Sequence, residues 1–424
     1  MTADQNAKQI LWINGRLATC DPKHTAPYGA ILGHAIHTKG SIILAIIPQT
    51  DIVSIMNENV EVRDLNGAWV TPGFIDSHTH LVYGGNRAQE WEKRLNGVPY
   101  EQIAAEGGGI VSTVKATREL SLEDLVAQSS KRLEALIAEG VTTVEIKSGY
   151  GLNLEDELKQ LTAAKQLSES YPVEVASTCL SAHAVPPEFK GRTDEYIDEV
   201  VNTIIPACAK AGLCEAVDVF CESVGFSREQ CRRVFECAKA HGLKVKGHVE
   251  QLTNQHGAEL VAEYKGLSCD HIEYLDEAGV KAMAESGTVA VLSPGAYYFL
   301  RETQKPPIDT LRAHGVNLAV ATDLNPGTSP SASIRMAMNM ACVLFGLTPE
   351  ESVFGVTRNA AKALGRGETH GMLKEGYVAD LLIWNVDHPS QLAYSVGTVG
   401  ELKARVYRGV DNSAKPVASY PGFS

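Results

Sequence analysis

The sharpest chemical signal in the chain is His78-Thr79-His80. On a β-strand, side chains at i and i+2 face the same side, so both imidazoles can reach one ion. Three more histidines and one aspartate follow singly, each at the end of a short apolar run. His183 follows STCLSA, His248 follows LKVKG, His271 follows LSCD, and Asp323 follows NLAVAT. An H-x-H pair alone is common. Followed by single histidines on later strands and an aspartate on the last, it reads as a metal site. Three imidazole nitrogens and one carboxylate oxygen suit zinc or ferrous iron. Of the 13 histidines, others such as His24, His241 and His370 are read as ordinary hydrogen-bonding side chains.

These residues need elements that bring strand ends together. Between Thr71 and Gly365 short apolar runs alternate with helical patterns. Ser121 to Glu139 reads as a helix, with a cap at Ser121, a stripe through Leu122, Leu125, Val126, Leu133 and Leu136, and Gly140 as the stop. Asn153 to Ser168 reads likewise. The strand candidates are Trp69–Ile75, a weak one at Ile110–Val114, then Val141–Ile146, Val173–Leu180, Leu243–Lys246, Gly266–Cys269, Thr288–Leu292 and Val316–Ala321. Eight strands alternating with helices predict a closed (β/α)8 barrel of α/β class, with chemistry at the strand ends. On this count Lys147 ends the third strand and His183 the fourth. No lysine is then placed to bridge two ions, and one metal is expected rather than two.

Both ends of the chain have strand character. Gln9 to Thr19, broken by Asn14-Gly15, reads as a hairpin. Ser41–Ile47, Val60–Leu65, Ala379–Trp384 and Val396–Val406, with a turn at Arg408-Gly409, are further candidates. A small β-sandwich formed by both termini is expected, from residues 1–68 and 369–424, around a barrel of residues 69–368.

Composition narrows the class. Hydrophobic residues make up 44% and charged residues 21%, ordinary for a soluble globular protein. A net charge of −13 repels nucleic acid and anionic membrane, so neither is an expected partner. An anionic substrate would need a local cation. No apolar stretch reaches membrane-spanning length, and MTADQNAKQILWING lacks the pattern of a signal peptide. The 9 cysteines form no C-x-x-C pair and read as reduced thiols of a cytoplasmic enzyme.

TPGFIDSHTHL, GHVEQ, CDHIEYL and ATDLNPG, in that order, resemble the ligand strands of the amidohydrolase superfamily over nearly the whole chain. Within it, HLVYGGNRAQEWEKRLNGVPYEQIAAEGGGI, TTVEIKSGYGL, STCLSAHAVP and ATDLNPGTSP are similar to the imidazolonepropionase family of histidine degradation. The resemblance implies a distorted barrel with a β-sandwich. It implies hydrolysis of 4-imidazolone-5-propanoate to N-formimino-L-glutamate, with one zinc or iron per chain. It also implies His78, His80, His248 and Asp323 as metal ligands, and Arg87, Tyr150, His183, Gln251, Asn325, Gly327 and Thr328 as substrate contacts. A homodimer is expected from the habits of the fold alone.

The implied roles suit the residue types. The planar fork of Arg87 matches a propionate carboxylate. Tyr150 and His183 can hydrogen-bond a heterocycle. Asp323 can take a proton from water and pass it to the leaving nitrogen, with His271 beside it orienting the water or stabilising the oxyanion. Related deaminases of heterocyclic bases typically carry glutamate three residues after the fifth-strand histidine. Here that residue is Gln251, which cannot shuttle protons, and Glu250 is one position off. A deaminase remains the rival activity, and a non-catalytic binding protein of the same fold the rival class.

Overall fold

Strands whose two faces meet different surroundings build the centre of this protein. In a computed structural model, which describes residues 7–99, 102–103 and 106–412, a sheet of parallel strands winds in sequential order. They are β1 (Phe74–Asp76), β2 (Val141–Lys147), β3 (Glu174–Ala182), β4 (Ala216–Cys221), a split β5 (Lys244–Val245 and Gly247–Val249), β6 (Ser268–His271), β7 (Val289–Leu292) and β8 (Leu318–Val320). The segments beyond β1 and β8 nearly close the barrel. Asp323 N–H donates to His78 C=O at 3.0 Å, and His80 N–H to Leu324 C=O at 2.9 Å. Parallel neighbours require crossovers, and helices supply them on the outside.

Two expected helices form where the caps predicted. Leu122–Ala138 starts at Ser121, whose hydroxyl accepts the Asp124 N–H, and Leu154–Ser170 starts at Asn153, whose side chain accepts the Asp156 N–H. Several strand expectations need correction. Ile110–Val114 opens the helix Ile110–Glu119 and is not a strand. The true fourth strand, β4, went unread. Lys147 therefore ends the second strand and His183 follows the third. Trp69–Ile75 is two strands. Trp69–Pro72 pairs with Leu381–Trp384 in the terminal sheet, and Phe74–Asp76 enters the barrel. Gly73 lies between them, where a Cβ would stand 2.1 Å from Thr142 Oγ1, so the strand can change sheets only with glycine there.

Alternation along the strands separates two cores. Val144, Ile146, Val217, Val219, Val245, Val249 and Cys269 pack outward with the helices in the main core. Ile75, Ala176, Val289, Val291, Ala319 and Ala321 form a separate apolar cluster with Ala360, Ala361 and Ala363 of the short helix Arg358–Ala363.

The termini form two further sheets. One orders Ile42–Pro48, His34–Lys39, Gln9–Ile13 and Val60–Asp64. The other orders Val410–Asp411, Leu402–Tyr407, Leu381–Trp384, Trp69–Pro72, Arg16–Ala18 and Ala30–Ile31. Ile10, Trp12, Leu17, Ile36, Val70, Leu381 and Val406 share the core between them. Asn14-Gly15 is not a hairpin turn. Gln9–Ile13 and Arg16–Ala18 belong to different sheets, and Asn14 at φ 58° carries the chain across. Arg408-Gly409, with φ 49° and 77°, is the true hairpin. The last expected strand begins only at Leu402. Residues 1–6 and 413–424 of the terminal segments lie outside the described residues. Glu174, at the start of β3, ties the C-terminal segments to the barrel by accepting from Arg366, Arg408 and His370. Among the described residues, no helix is long and apolar enough to cross a membrane.

Candidate active site

The segment after β1 carries His78 and His80 across the mouth to the end of β8. Asp76 fixes the approach: its carboxylate accepts Thr322 N–H at 3.1 Å and Thr322 Oγ1–H at 2.6 Å. Burial pushes the Asp76 carboxyl up to about 7. The Nε2 atoms of His78 and His80 lie 3.3 Å apart, and those of His80 and His248 lie 3.2 Å apart. Asp323 Oδ1 is 3.4 Å from His78 Nε2 and 3.5 Å from His80 Nε2. Donors placed about 2.0–2.1 Å from a central ion at tetrahedral corners stand about 3.3 Å from one another. These four separations match that edge; His78, His80 and Asp323 stand close enough together to hold one ion, as do His78, His248 and His271. Burial pushes the His78 and His80 imidazoles well below their usual range, which keeps them neutral, the form that ligates.

His271 stands beside this set. Its Nε2 is 3.9 Å from Asp323 Oδ2, the oxygen with no hydrogen-bond partner in the protein. The Asp323 carboxylate is thus divided, with Oδ1 towards the imidazole pair and Oδ2 towards His271. The backbone here is strained. His271 (φ 78°), Ile272 (φ 67°) and Asp323 (φ 50°) all occupy the left-handed region. For β-branched Ile272 this is a genuine outlier, costing about 1–3 kcal/mol.

Beneath the donors lies a layer the sequence reading missed. Asp270 Oδ2 accepts His78 Nδ1–H at 2.6 Å, and Asp218 Oδ2 lies 3.1 Å from His248 Nδ1. Lys147 Nζ sits 2.6 Å from Asp218 and 2.8 Å from Glu145; Lys246 Nζ sits 2.8 Å from Glu145. All five charged side chains are fully or almost fully buried. The carboxylate on the far ring nitrogen of His78 fixes the tautomer that presents bare Nε2, while Asp218 stands within ion-pair reach of His248 Nδ1 without a hydrogen bond. The expectation for a single ion took Lys147 for a misplaced third-strand residue. It is committed to this ionic layer on the second strand, and the fourth strand, β4, offers Asp218 there and no lysine.

The expected substrate contacts ring the same mouth. The Tyr150 ring lies 5.9 Å from that of His80 and 5.4 Å from that of His183. His183 Nδ1 donates to Gly149 C=O at 2.9 Å, leaving Nε2 bare, and burial lowers its imidazole to about 4. Gln251 is half-buried. Glu250 does not face the chemistry: its carboxylate accepts Gly257 and Ala258 N–H groups at 2.7 and 2.9 Å, at the start of the helix Gly257–Glu263. Glu222, at the end of β4, holds the loop after Gln251 by accepting the Leu252 N–H at 2.9 Å. Asn325 spends its amide inside its own loop, donating to Asp323 C=O and Thr328 Oγ1 and accepting from Gly327 and Thr328 N–H. Arg87 reaches this loop from the other side of the mouth, with Nη1 against the Cα of Gly327. Two of the histidines set aside as ordinary have local partners: His370 pairs with Glu174, and His241 Nδ1 with Cys237 C=O.

Comparison with known proteins extends this geometry. Residues 69–414 match the model of the amidohydrolase family. The chain is 69% identical to an imidazolonepropionase of Chromobacterium violaceum, over 94% of this chain and 96% of that one. It is 56% identical to an imidazolonepropionase of Klebsiella pneumoniae, over 93% and 96%. Among solved structures, a triazine hydrolase variant superposes with a TM-score of 0.72 at 16% identity, over 95% of this chain and 94% of that one, a likeness of fold. Identity this high along nearly the full length of both relatives places the chain in the amidohydrolase family, within its imidazolonepropionase group.

Proposed function

We propose that this enzyme hydrolyses the cyclic amide bond of 4-imidazolone-5-propanoate to give N-formimino-L-glutamate, a step of histidine degradation. Water oxygen bonds to the ring carbonyl carbon, the bond from that carbon to the ring nitrogen breaks, and the nitrogen takes up a proton. The observation that carries the reading is the close spacing of His78, His80 and Asp323, with His248 3.2 Å from His80, beside a loop that Arg87 touches at Gly327. The names of the relatives supply the substrate.

His78, His80, His248 and Asp323 would hold one zinc or iron ion, which when bound would lower the pKa of water from about 15.7 to about 7 and polarise the carbonyl. Asp323 accepts the water proton at Oδ2 and returns it to the ring nitrogen. His271, 3.9 Å from that oxygen, orients the water and faces the developing oxyanion. His183, with its proton held at Nδ1 by Gly149, offers Nε2 as an acceptor for a ring N–H. The Tyr150 hydroxyl and the Gln251 amide bind the heterocycle, and Arg87 takes the propionate carboxylate. The Asn325–Thr328 loop, braced by the Asn325 amide, closes that end with Gly327 and the Thr328 hydroxyl.

Turnover of freshly generated 4-imidazolone-5-propanoate, with product identified and metal counted on the same sample, tests this. Formiminoglutamate with about one ion per chain is expected. Bound metal without turnover discards the substrate, and ammonia released from an amino-heterocycle would identify a deaminase.

A further inference from the structure

Arg87 is not a free cation. It immediately precedes the helix Ala88–Leu95, and one turn on, Glu90 folds back to hold it. Glu90 Oε2 accepts Arg87 Nε–H at 3.0 Å, and Oε1 accepts from Nη2 at 2.5 Å. Glu90 Oε2 also accepts Gly109 N–H at 2.8 Å, at the start of the helix Ile110–Glu119. The side chains are only 16% and 10% exposed. The Arg87 hydrogen bonds and the Gly109 N–H hold the Glu90 carboxyl below its usual range against the effect of burial.

A guanidinium has five N–H donors in a fixed plane. Glu90 takes two of them, from Nε and Nη2. Three remain: one each on Nη1 and Nη2 along the end-on edge of the fork, and a second on Nη1 that points to the Cδ side. Nη1 is the end of the fork beside the Asp323 loop, because a Cβ on Gly327 would fall 2.2 Å from Arg87 Nη1 and 3.0 Å from its Cζ. We propose that Glu90 is a positioning residue for substrate binding. It consumes the side edge of Arg87 and so holds the guanidinium with Nη1 beside Gly327, its donors free for the substrate carboxylate. The inference rests on the assignment of Arg87 to that carboxylate. Preorganisation is the physical reason for the pair: an arginine side chain carries large rotamer freedom, and fixing it before binding removes that cost from the affinity.

The test compares 4-imidazolone-5-propanoate with its neutral propionamide in the holoenzyme. Glu90→Ala is expected to raise KM for the anionic substrate about tenfold or more, with kcat within about threefold and KM for the propionamide unchanged. Glu90→Gln keeps one acceptor, gives an intermediate KM, and serves if Glu90→Ala does not fold. An unchanged or lowered KM for the anionic substrate in the Glu90 variants overturns the positioning role. An equal rise for both substrates also overturns it, by showing a merely structural effect. Arg87→Ala run alongside separates the two readings: an unchanged KM there removes the carboxylate assignment itself, whereas a raised KM there with normal Glu90 variants removes only the role of Glu90.

Discussion

Replacing Asp270 by asparagine isolates what the buried carboxylates do for the metal site. Asp270 Oδ2 accepts His78 Nδ1–H at 2.6 Å, and Oδ1 accepts from Ser268 Oγ at 2.5 Å. The ammonium groups of Lys147 and Lys246 stand 3.6 and 3.7 Å from Oδ2. The asparagine amide has two orientations. With its NH2 towards His78, a donor would face a donor and stand close to two cations. With its oxygen there, the Nδ1 proton keeps its acceptor and Nε2 stays bare. The second orientation wins, so the ligating tautomer survives and only the charge is lost. A hydrogen bond to a charged group is worth about 1.5–3 kcal/mol net and a neutral one about 0.5–1.5, a difference of about 1–2 kcal/mol. That predicts a loss of about 5- to 30-fold in metal affinity, overlapping the lower part of the range of about 10- to 100-fold usual for such partners. Titration of metal-free protein with zinc against a competing chelator measures it without any substrate. A dissociation constant within twofold of the parent, with the fold intact, would refute the tuning role. A loss beyond about a thousandfold would show that the amide had turned the other way.

Three more outcomes follow from side chains already placed. Burial alone would raise the Glu174 carboxyl, but hydrogen bonds from His370 and Arg366 hold it well below the usual 4.5. Its stabilisation is therefore present above pH 4.5 and lost as pH falls below it. Glu174→Gln should lower the thermal midpoint at pH 7 and flatten its decline below pH 4.5; a decline as steep as the parent's would remove Glu174 from the docking of the C-terminal segments. Gln251→Glu should leave the thermal midpoint unchanged and raise KM for the anionic substrate roughly tenfold, as about 1–2 kcal/mol of repulsion across the mouth requires. Ammonia release from amino-heterocycles by the same variant would mark this position as the divide between hydrolysis and deamination. Glu250→Ala should cost about 1–2 kcal/mol in urea unfolding by uncapping the helix Gly257–Glu263, with kcat little changed in the folded fraction; a lost kcat in folded protein would return Glu250 to the chemistry.

Local signals in the sequence were reliable where one element decided the outcome and failed where pairing decided it. Ser121 caps its helix as read, because a cap needs only its own first turn, and Asn153 caps the second helix expected from its leucine stripe. Asn14-Gly15 carries the stronger hairpin chemistry, yet only Arg408-Gly409 joins paired strands. At Arg408-Gly409 both residues take positive φ, whereas in the first pair only Asn14 does and the flanking strands separate into two sheets, a choice made by partners dozens of residues away. Ile110–Val114 looked like a strand because it is rich in β-branched residues. Followed to Thr117, its buried positions Thr113, Val114 and Thr117 have helical spacing. β4 escaped because Asp218 interrupts its apolar run, and an aspartate there argues against a core strand unless the inside of the barrel is charged.

The charged interior was itself legible, by a rule that needs the barrel first. Helices cover the outer face of a barrel strand, so a charged residue at alternate positions of an otherwise apolar strand must point inward. VEIK places Glu145 and Lys147 this way, VKGH places Lys246 and His248, and SCD places Ser268 and Asp270. Their neighbours Val144, Ile146, Val245 and Cys269 pack outward, as that rule requires. Such a layer is not there for stability. Buried ion pairs seldom outperform packed Val, Ile and Leu, and each partner removed costs about 3–5 kcal/mol. What it supplies is charge and orientation. Three carboxylates against two ammonium groups leave one net negative charge below the imidazoles, counted over Glu145, Asp218, Asp270, Lys147 and Lys246. Each lysine also pins a carboxylate that would otherwise gain a proton in so apolar a place. The ionic layer thus holds the Asp218 carboxyl well below its usual range against the effect of burial, whereas burial leaves that of Asp270 raised, and it sets one carboxylate beside the far nitrogen of each of His248 and His78.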